Sequence, residues 1–193
     1  SAASDVYKRQ LGKYSGCVEK TAKWSKFSTD QIKSGVEFTC ELKPSAELYA
    51  GIRKEAVDAK SGVQVLQAMA DAFRAALGNG ASQQLDMSKN IDTMIAATGV
   101  TKNELTVRFA INSDDKKKFD LSSVSTKFFW GKDSANLANP KDSLHAVYDN
   151  VPFVANTAGK EKTFREDLFN LYNTRTVAAG SAPASAPASS PAK

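Results

Sequence analysis

The chain has 193 residues, 41% of them hydrophobic and 24% charged, with a formal net charge of +5. A chain of this size forms one domain whose own core suffices to hold the fold without a metal or a disulfide. No stretch approaches the roughly 18 uninterrupted apolar residues of a membrane span, two cysteines and one histidine are too few for a Cys/His zinc site, and the mild basic excess would have to be clustered to make a nucleic-acid footprint.

The first ten residues, SAASDVYKRQ, resemble the conceptual translation of a sequencing adapter left on a metagenomic read. The expectation is that residues 1–10 are non-native and pack poorly, that the protein proper begins near Leu11, and that any signal peptide or lipid anchor stood further upstream. Residues 16–33 read as a moderately amphipathic helix, with Val18, Ala22, Trp24 and Phe27 apolar and Lys20, Lys23 and Lys26 along another side. Gly35 breaks that pattern. Val36, Phe38, Cys40 and Leu42 then alternate with Glu37, Thr39 and Glu41, the signature of a half-buried strand. Pro44 ends it, and Ser45 is a suitable N-cap for the next element.

Residues 46–59 and 62–77 read as two helices with a weak point at Ser61-Gly62. In the second, Val63, Leu66, Ala70, Phe73 and Leu77 recur at helical spacing, with Met69 and Ala76 beside them. Gly78-Asn79-Gly80 supplies its cap. A third helix spans residues 88–98, presenting Ile91, Met94 and Ile95, with Gly99 in cap position. Leu105, Val107, Phe109 and Ile111 alternate with Thr106, Arg108 and Ala110, which predicts a second strand. Asn112-Ser113-Asp114-Asp115 is turn chemistry. Residues 119–130 form a returning strand or, alternatively, a helix that begins at Asp115. Residues 131–142 read as irregular and 144–148 as a strand. Pro152 holds Val151 and Phe153 to an edge or a loop. A helix over 161–174 carries Phe164, Leu168, Leu171 and Tyr172 on one face. From Ala178 onward the chain contains only Ala, Gly, Ser, Pro and a final Lys, a composition with no large side chain to bury, so 178–193 is expected to be a disordered tail. Ala/Pro/Ser-rich tails of this kind resemble those of many proteobacterial envelope proteins.

The chemistry-bearing motifs are sparse. Trp130-Gly131-Lys132-Asp133-Ser134 holds a Gly-Lys pair but lacks the upstream glycine of a phosphate loop. No Gly-x-Ser-x-Gly elbow, His-Glu-x-x-His helix or calcium loop occurs. His145, between Leu144 and Ala146, is the one imidazole available as a base, with Asp149 or either cysteine as a conceivable companion. The carboxylate neighbours Asp114/Asp115 and Glu166/Asp167 read as solvated pairs, since a glycosidase needs two carboxyls across a cleft. Lys116, Lys117 and Lys118 form the one dense basic run; it reads as a solvated turn or, with Phe119, Phe128, Phe129 and Trp130, as a surface for a ligand, a partner or single-stranded nucleic acid. Cys17 and Cys40 are either buried thiols or a disulfide, and a disulfide would place the chain in an oxidising compartment. Ser15-Gly16-Cys17 is also similar to the end of a lipoprotein signal, although Lys13 falls where the apolar region should run.

The sequence therefore predicts a single α+β domain over residues 11–177, with a mostly antiparallel sheet of three to five strands packed against several helices. The favoured function is a non-catalytic, exported bacterial envelope or periplasmic protein that acts as a binding or structural module for an unknown protein or envelope component. No metal or cofactor is expected. Two alternatives stand beside it: a cytosolic basic protein that binds single-stranded nucleic acid, and a small enzyme using His145 with a carboxylate.

Overall fold

Alternation within two segments sets the architecture. In a strand, successive side chains point to opposite faces. Gly35–Leu42 (β2) and Lys102–Ile111 (β3) pair antiparallel with Phe38 opposite Val107 and Cys40 opposite Leu105, so their apolar residues share one face. All four are fully buried. The computed structural model describes residues 10–77, 87–111, 119–151, 153 and 161–177. Within them β1 (Lys23–Phe27), β2, β3, β4 (Phe119–Trp130) and β5 (Asp133–Asn139) form a five-stranded sheet in sequential order, every neighbouring pair antiparallel.

Helices α1 (Ala46–Leu77) and α2 (Met87–Ala97) lie between β2 and β3 in the chain. After β5 come a 3-10 turn (Lys141–Leu144), the short helix α3 (His145–Tyr148) and α4 (Glu161–Thr174). Tyr49 and Ile52 of α1, Phe164 and Leu168 of α4, and Leu144, Ala146 and Val147 join the apolar face of the sheet in one core. Ring contacts tie the layers: Phe164 lies 6.3 Å from Phe128 and 6.1 Å from Tyr49. Trp24 of β1 covers the far corner, 5.1 Å from Phe38. A bulge in β4 opposite Arg108/Phe109 absorbs one residue, so Leu121 still meets Phe109 on the inner face. The result is one α+β domain, as the alternation implied.

Several local expectations are corrected. Residues 16–33 are not a helix. Val18 N–H donates to Glu41 O (2.8 Å), Lys43 N–H to Gly16 O (2.7 Å), and Glu41 N–H to Thr21 Oγ1 (3.1 Å), so this stretch spends its polar groups along β2. Lys20 takes a left-handed φ of 64° and turns the chain into β1. The edge of β2 offered a ladder that outweighed a weak helical propensity. Ser61-Gly62 breaks nothing: α1 runs straight through it, with Ser61 Oγ donating to Val57 O at 3.2 Å. A glycine there weakens a helix by about 1 kcal/mol without ending it. Gly99 follows α2 but does not take a left-handed φ.

Residues 131–142 contain β5 because Gly131, at φ 65°, makes a two-residue turn that pairs Trp130 with Asp133. Residues 144–148 are helical, not a strand; Ser143 N–H bonds Pro140 O (3.0 Å) and Asp149 N–H bonds His145 O (2.8 Å). Leu144, Ala146 and Val147 suit either period, and the tight turn after Pro140 selects the helical one. Residues 161–174 are the expected helix, with Phe164, Leu168 and Leu171 buried. Val6, Tyr7, the side chains of Leu66, Ala70, Phe73 and Leu77, the Gly78-Asn79-Gly80 cap and the 178–193 tail lie outside the described residues.

Candidate functional site

The segment from Leu42 to Ala46, where β2 gives way to α1, has a concavity on each side. One, of about 300 Å³, is lined by Glu41, Leu42, Tyr49, Arg53, Lys102 and Asn103 among others. The other, about 630 Å³, runs past Ser15, Gly16, Lys43, Glu47, Asn150 and Phe153. In the second, Phe153 is flanked in sequence by positions outside the described residues; every residue lining the first is described.

The smaller cavity has an unusual floor. Asn103 sits on β3 opposite Leu42, at an inward register with Leu105 and Val107, and is only 3% exposed. Its Nδ2 donates to the buried Tyr49 hydroxyl at 2.9 Å. Its Oδ1 is buried without a hydrogen-bond partner among the described residues. The Tyr49 oxygen is used as an acceptor, so its own proton is free to donate. Burial pushes the Tyr49 phenol up to about 12, with the Asn103 hydrogen bond working against that rise, and the group stays a protonated donor at any physiological pH. A buried polar atom left unpaired costs on the order of 1–3 kcal/mol.

Arg53 follows Tyr49 by four residues, hence one turn along the same side of α1. It is exposed and makes no ion pair among the described residues. Lys102, at the other lip, is held 3.5 Å from both Glu41 and Glu104. The first turn of α1, with backbone N–H groups that have no intrahelical acceptor, begins at Ala46 in the same wall.

On the other side of the Leu42–Ala46 segment the chain is pinned. Cys17 and Cys40 form a disulfide with Cα atoms 5.8 Å apart. With its sulfur so engaged, Cys17 has no thiol to carry a lipid. Tyr14 donates its hydroxyl to Val151 O at 2.6 Å, and burial pushes its phenol up to about 12. Asn150, at a left-handed φ of 53°, accepts at Oδ1 from Ser15 N–H (3.0 Å) and Ser15 Oγ (2.6 Å). A Cβ on Gly16 would collide with the Tyr14 ring, so a side chain there would displace the hydroxyl that bonds Val151 O.

The remaining sequence candidates are dispersed. Phe128, Phe129 and Trp130 do not form one surface, because strand alternation divides them. Phe128 is buried and Trp130 faces inward, donating Nε1–H to Ala97 O at 2.8 Å. Phe129 lies on the outer face, with Lys127 Nζ 5.0 Å and Lys102 Nζ 5.4 Å from its ring. Lys116, Lys117, Lys118, Asp114 and Asp115 lie outside the described residues. His145 and Asp149 are both exposed, and neither lines either cavity. Among the described residues no cluster of three or more His, Cys, Asp or Glu is placed to hold a metal. Sequence reading missed Tyr49, Arg53 and Asn103. Extending the β3 alternation back by one inward position would have put an asparagine in the core, which is the signal that was available.

The chain matches no protein-family model, no curated protein and no solved structure.

Proposed function

We propose that this chain is an exported bacterial envelope protein that acts as a non-catalytic binding module. The Cys17–Cys40 disulfide carries the export half of the reading, since such bonds persist in oxidising compartments and are rare in the cytosol. The Ala/Pro/Ser-rich tail adds to it. A concave site with a polar floor and a cationic lip supports the binding half. The nucleic-acid alternative loses Phe128 and Trp130 from its aromatic surface, since both turn inward. His145 is exposed, as is Asp149, which gives a His145 enzyme no enclosed acid–base pair among the described residues.

Thiol titration of native material under denaturing, non-reducing conditions tests the export reading. No free thiol is expected; two free thiols would overturn it.

A further inference from the structure

The two edges of the sheet differ. At β5, Ser134 N–H donates to Thr176 O at 3.2 Å and Thr176 N–H returns a bond to Ser134 O at 2.8 Å, so the chain itself pairs there after α4. At β1, the other end of the strand order, no loop or helix among the described residues hydrogen-bonds the strand backbone.

Register tells which groups stand open. In an antiparallel ladder every second residue directs both of its backbone groups to one neighbour. Glu41 accepts at its carbonyl from Val18 N–H (2.8 Å) and donates its N–H to Thr21 Oγ1 (3.1 Å), so it belongs to the β2 residues that face the β1 side. Thr39, Glu37 and Gly35 follow at steps of two and oppose Lys23, Ser25 and Phe27. Those three spend their N–H and C=O groups on β2. The N–H and C=O of Trp24 and Lys26 therefore point away from the sheet. A single free donor in water says little, but alternating donors and acceptors along a strand edge are a template for another strand.

Side chains select which strand. Lys20, Lys23, Lys26 and Lys33 are exposed on β1 and its flanks, with no ion pair among the described residues. Glu19 and Asp30 are the acids within the same stretch, so the edge is net positive. Trp24 rests on Phe38 at 5.1 Å yet keeps 39% of its surface open. A second copy is a poor occupant, because pairing β1 with itself brings Lys23 and Lys26 of both chains together, and edge lysines guard against such pairing. Phosphates of a nucleic acid or a membrane answer the lysines but offer no donor to the Trp24 and Lys26 carbonyls. An acidic peptide strand answers both.

We infer that the open edge of β1 takes up an acidic, extended segment of a partner protein as a sixth strand of the sheet. An apolar side chain of that segment lies against Trp24 and carboxylates lie against Lys23 and Lys26. The inference gives the binding half of the proposed function a partner. No residue of β1 lines either cavity, so it stands apart from the concave site and from the export half.

Fluorescence anisotropy on the full, oxidised chain tests it with labelled Glu-Thr-Glu-Thr-Val-Glu-Glu, capped at both ends. Set antiparallel to β1, this peptide places its Val opposite Trp24 and glutamates opposite Lys23 and Lys26. One comparison peptide carries Gln for every Glu. Another carries N-methyl groups on the Val and on the Glu opposite Lys26, which removes the donors facing β1 and keeps the charge. Saturable binding of the first peptide is expected, with each comparison peptide weaker by about tenfold. Lys26→Gln removes a charge and keeps the outward N–H; it should weaken binding about threefold. Lys26→Pro removes both, at a position where an edge strand accepts proline, and should weaken binding by about tenfold or more. No saturable binding, binding undiminished by N-methylation, or oligo(dT) or phosphatidylglycerol vesicles held as tightly as the peptide would overturn the inference. The thiol count of native material is read separately, so free thiols together with peptide binding would remove the export reading and leave this one standing.

Discussion

The two faces of the sheet solve the same polar problem in opposite ways. On the outer face Glu37 and Arg108 pair across β2 and β3 at 2.6 Å, Lys102 sits between Glu41 and Glu104, and Arg108 lies 5.2 Å from the Phe27 ring. Arg108, Lys102, Glu41 and Glu104 reach water, and Glu37 is partly covered, so each contact contributes modestly and none is indispensable. The inner face is Phe38, Cys40, Leu105, Val107, Val124 and Phe128, where every polar atom must find a partner or carry a penalty. A free valence is therefore uninformative outside and informative inside. That contrast is what draws attention to Asn103.

The sharpest way to break the contrast is to truncate neighbouring rings on opposite faces. Phe128→Ala should cost about 3–5 kcal/mol by urea denaturation, whereas Phe129→Ala should cost less than half as much. Equal losses would mean that the outer face is covered in solution. Next in size is the disulfide that anchors residues 14–18 to β2. It closes a loop with a sequence separation of 23. Chain-entropy reasoning assigns such a loop about 3 kcal/mol, which reduction or Cys17→Ser/Cys40→Ser should remove.

Alkaline pH probes the inner polar groups next. Unfolded tyrosines ionise near 10.0, while Tyr14 and Tyr49 in the folded chain hold their protons to about 12. Above pH 10 the unfolded state therefore binds fewer protons than the folded one. The stabilisation is complete below pH 10 and is lost as pH climbs towards 12, roughly 2–3 kcal/mol for Tyr49. Tyr49→Phe should flatten that part of the pH–stability curve; an unchanged curve would place the phenol in water. The smallest effect belongs to the outer face: Glu37→Ala should cost under about 1 kcal/mol and become harmless in high salt.

How far this was legible in the sequence depends on how local the deciding force is. Val36 to Leu42 and Leu105 to Ile111 announce themselves because their alternation and their burial agree. Glu161–Thr174 does so by its 3.6-residue stripe. Residues 16–33 misled because Trp24 and Phe27 suit a helical face in isolation, while the edge of β2, distant in sequence, claims them as a strand. The Phe128-Phe129-Trp130 run invited a surface reading that fails once the pleat sends alternate rings to opposite faces. Cys17 and Cys40 were visible as a possible pair. The cavity was not, because its floor joins Tyr49 and Asn103 across 54 positions, and no local pattern encodes that meeting.

The central claim is that apolar packing on the inner face of the sheet, and not the polar pair buried in it, holds the fold together. Replacing both partners of a buried pair with apolar residues of similar shape is near neutral or stabilising when the pair is not structurally required. The decisive measurement is the unfolding free energy of Tyr49→Phe/Asn103→Leu. The account predicts a double variant at least as stable as the parent. A loss of several kcal/mol would contradict it.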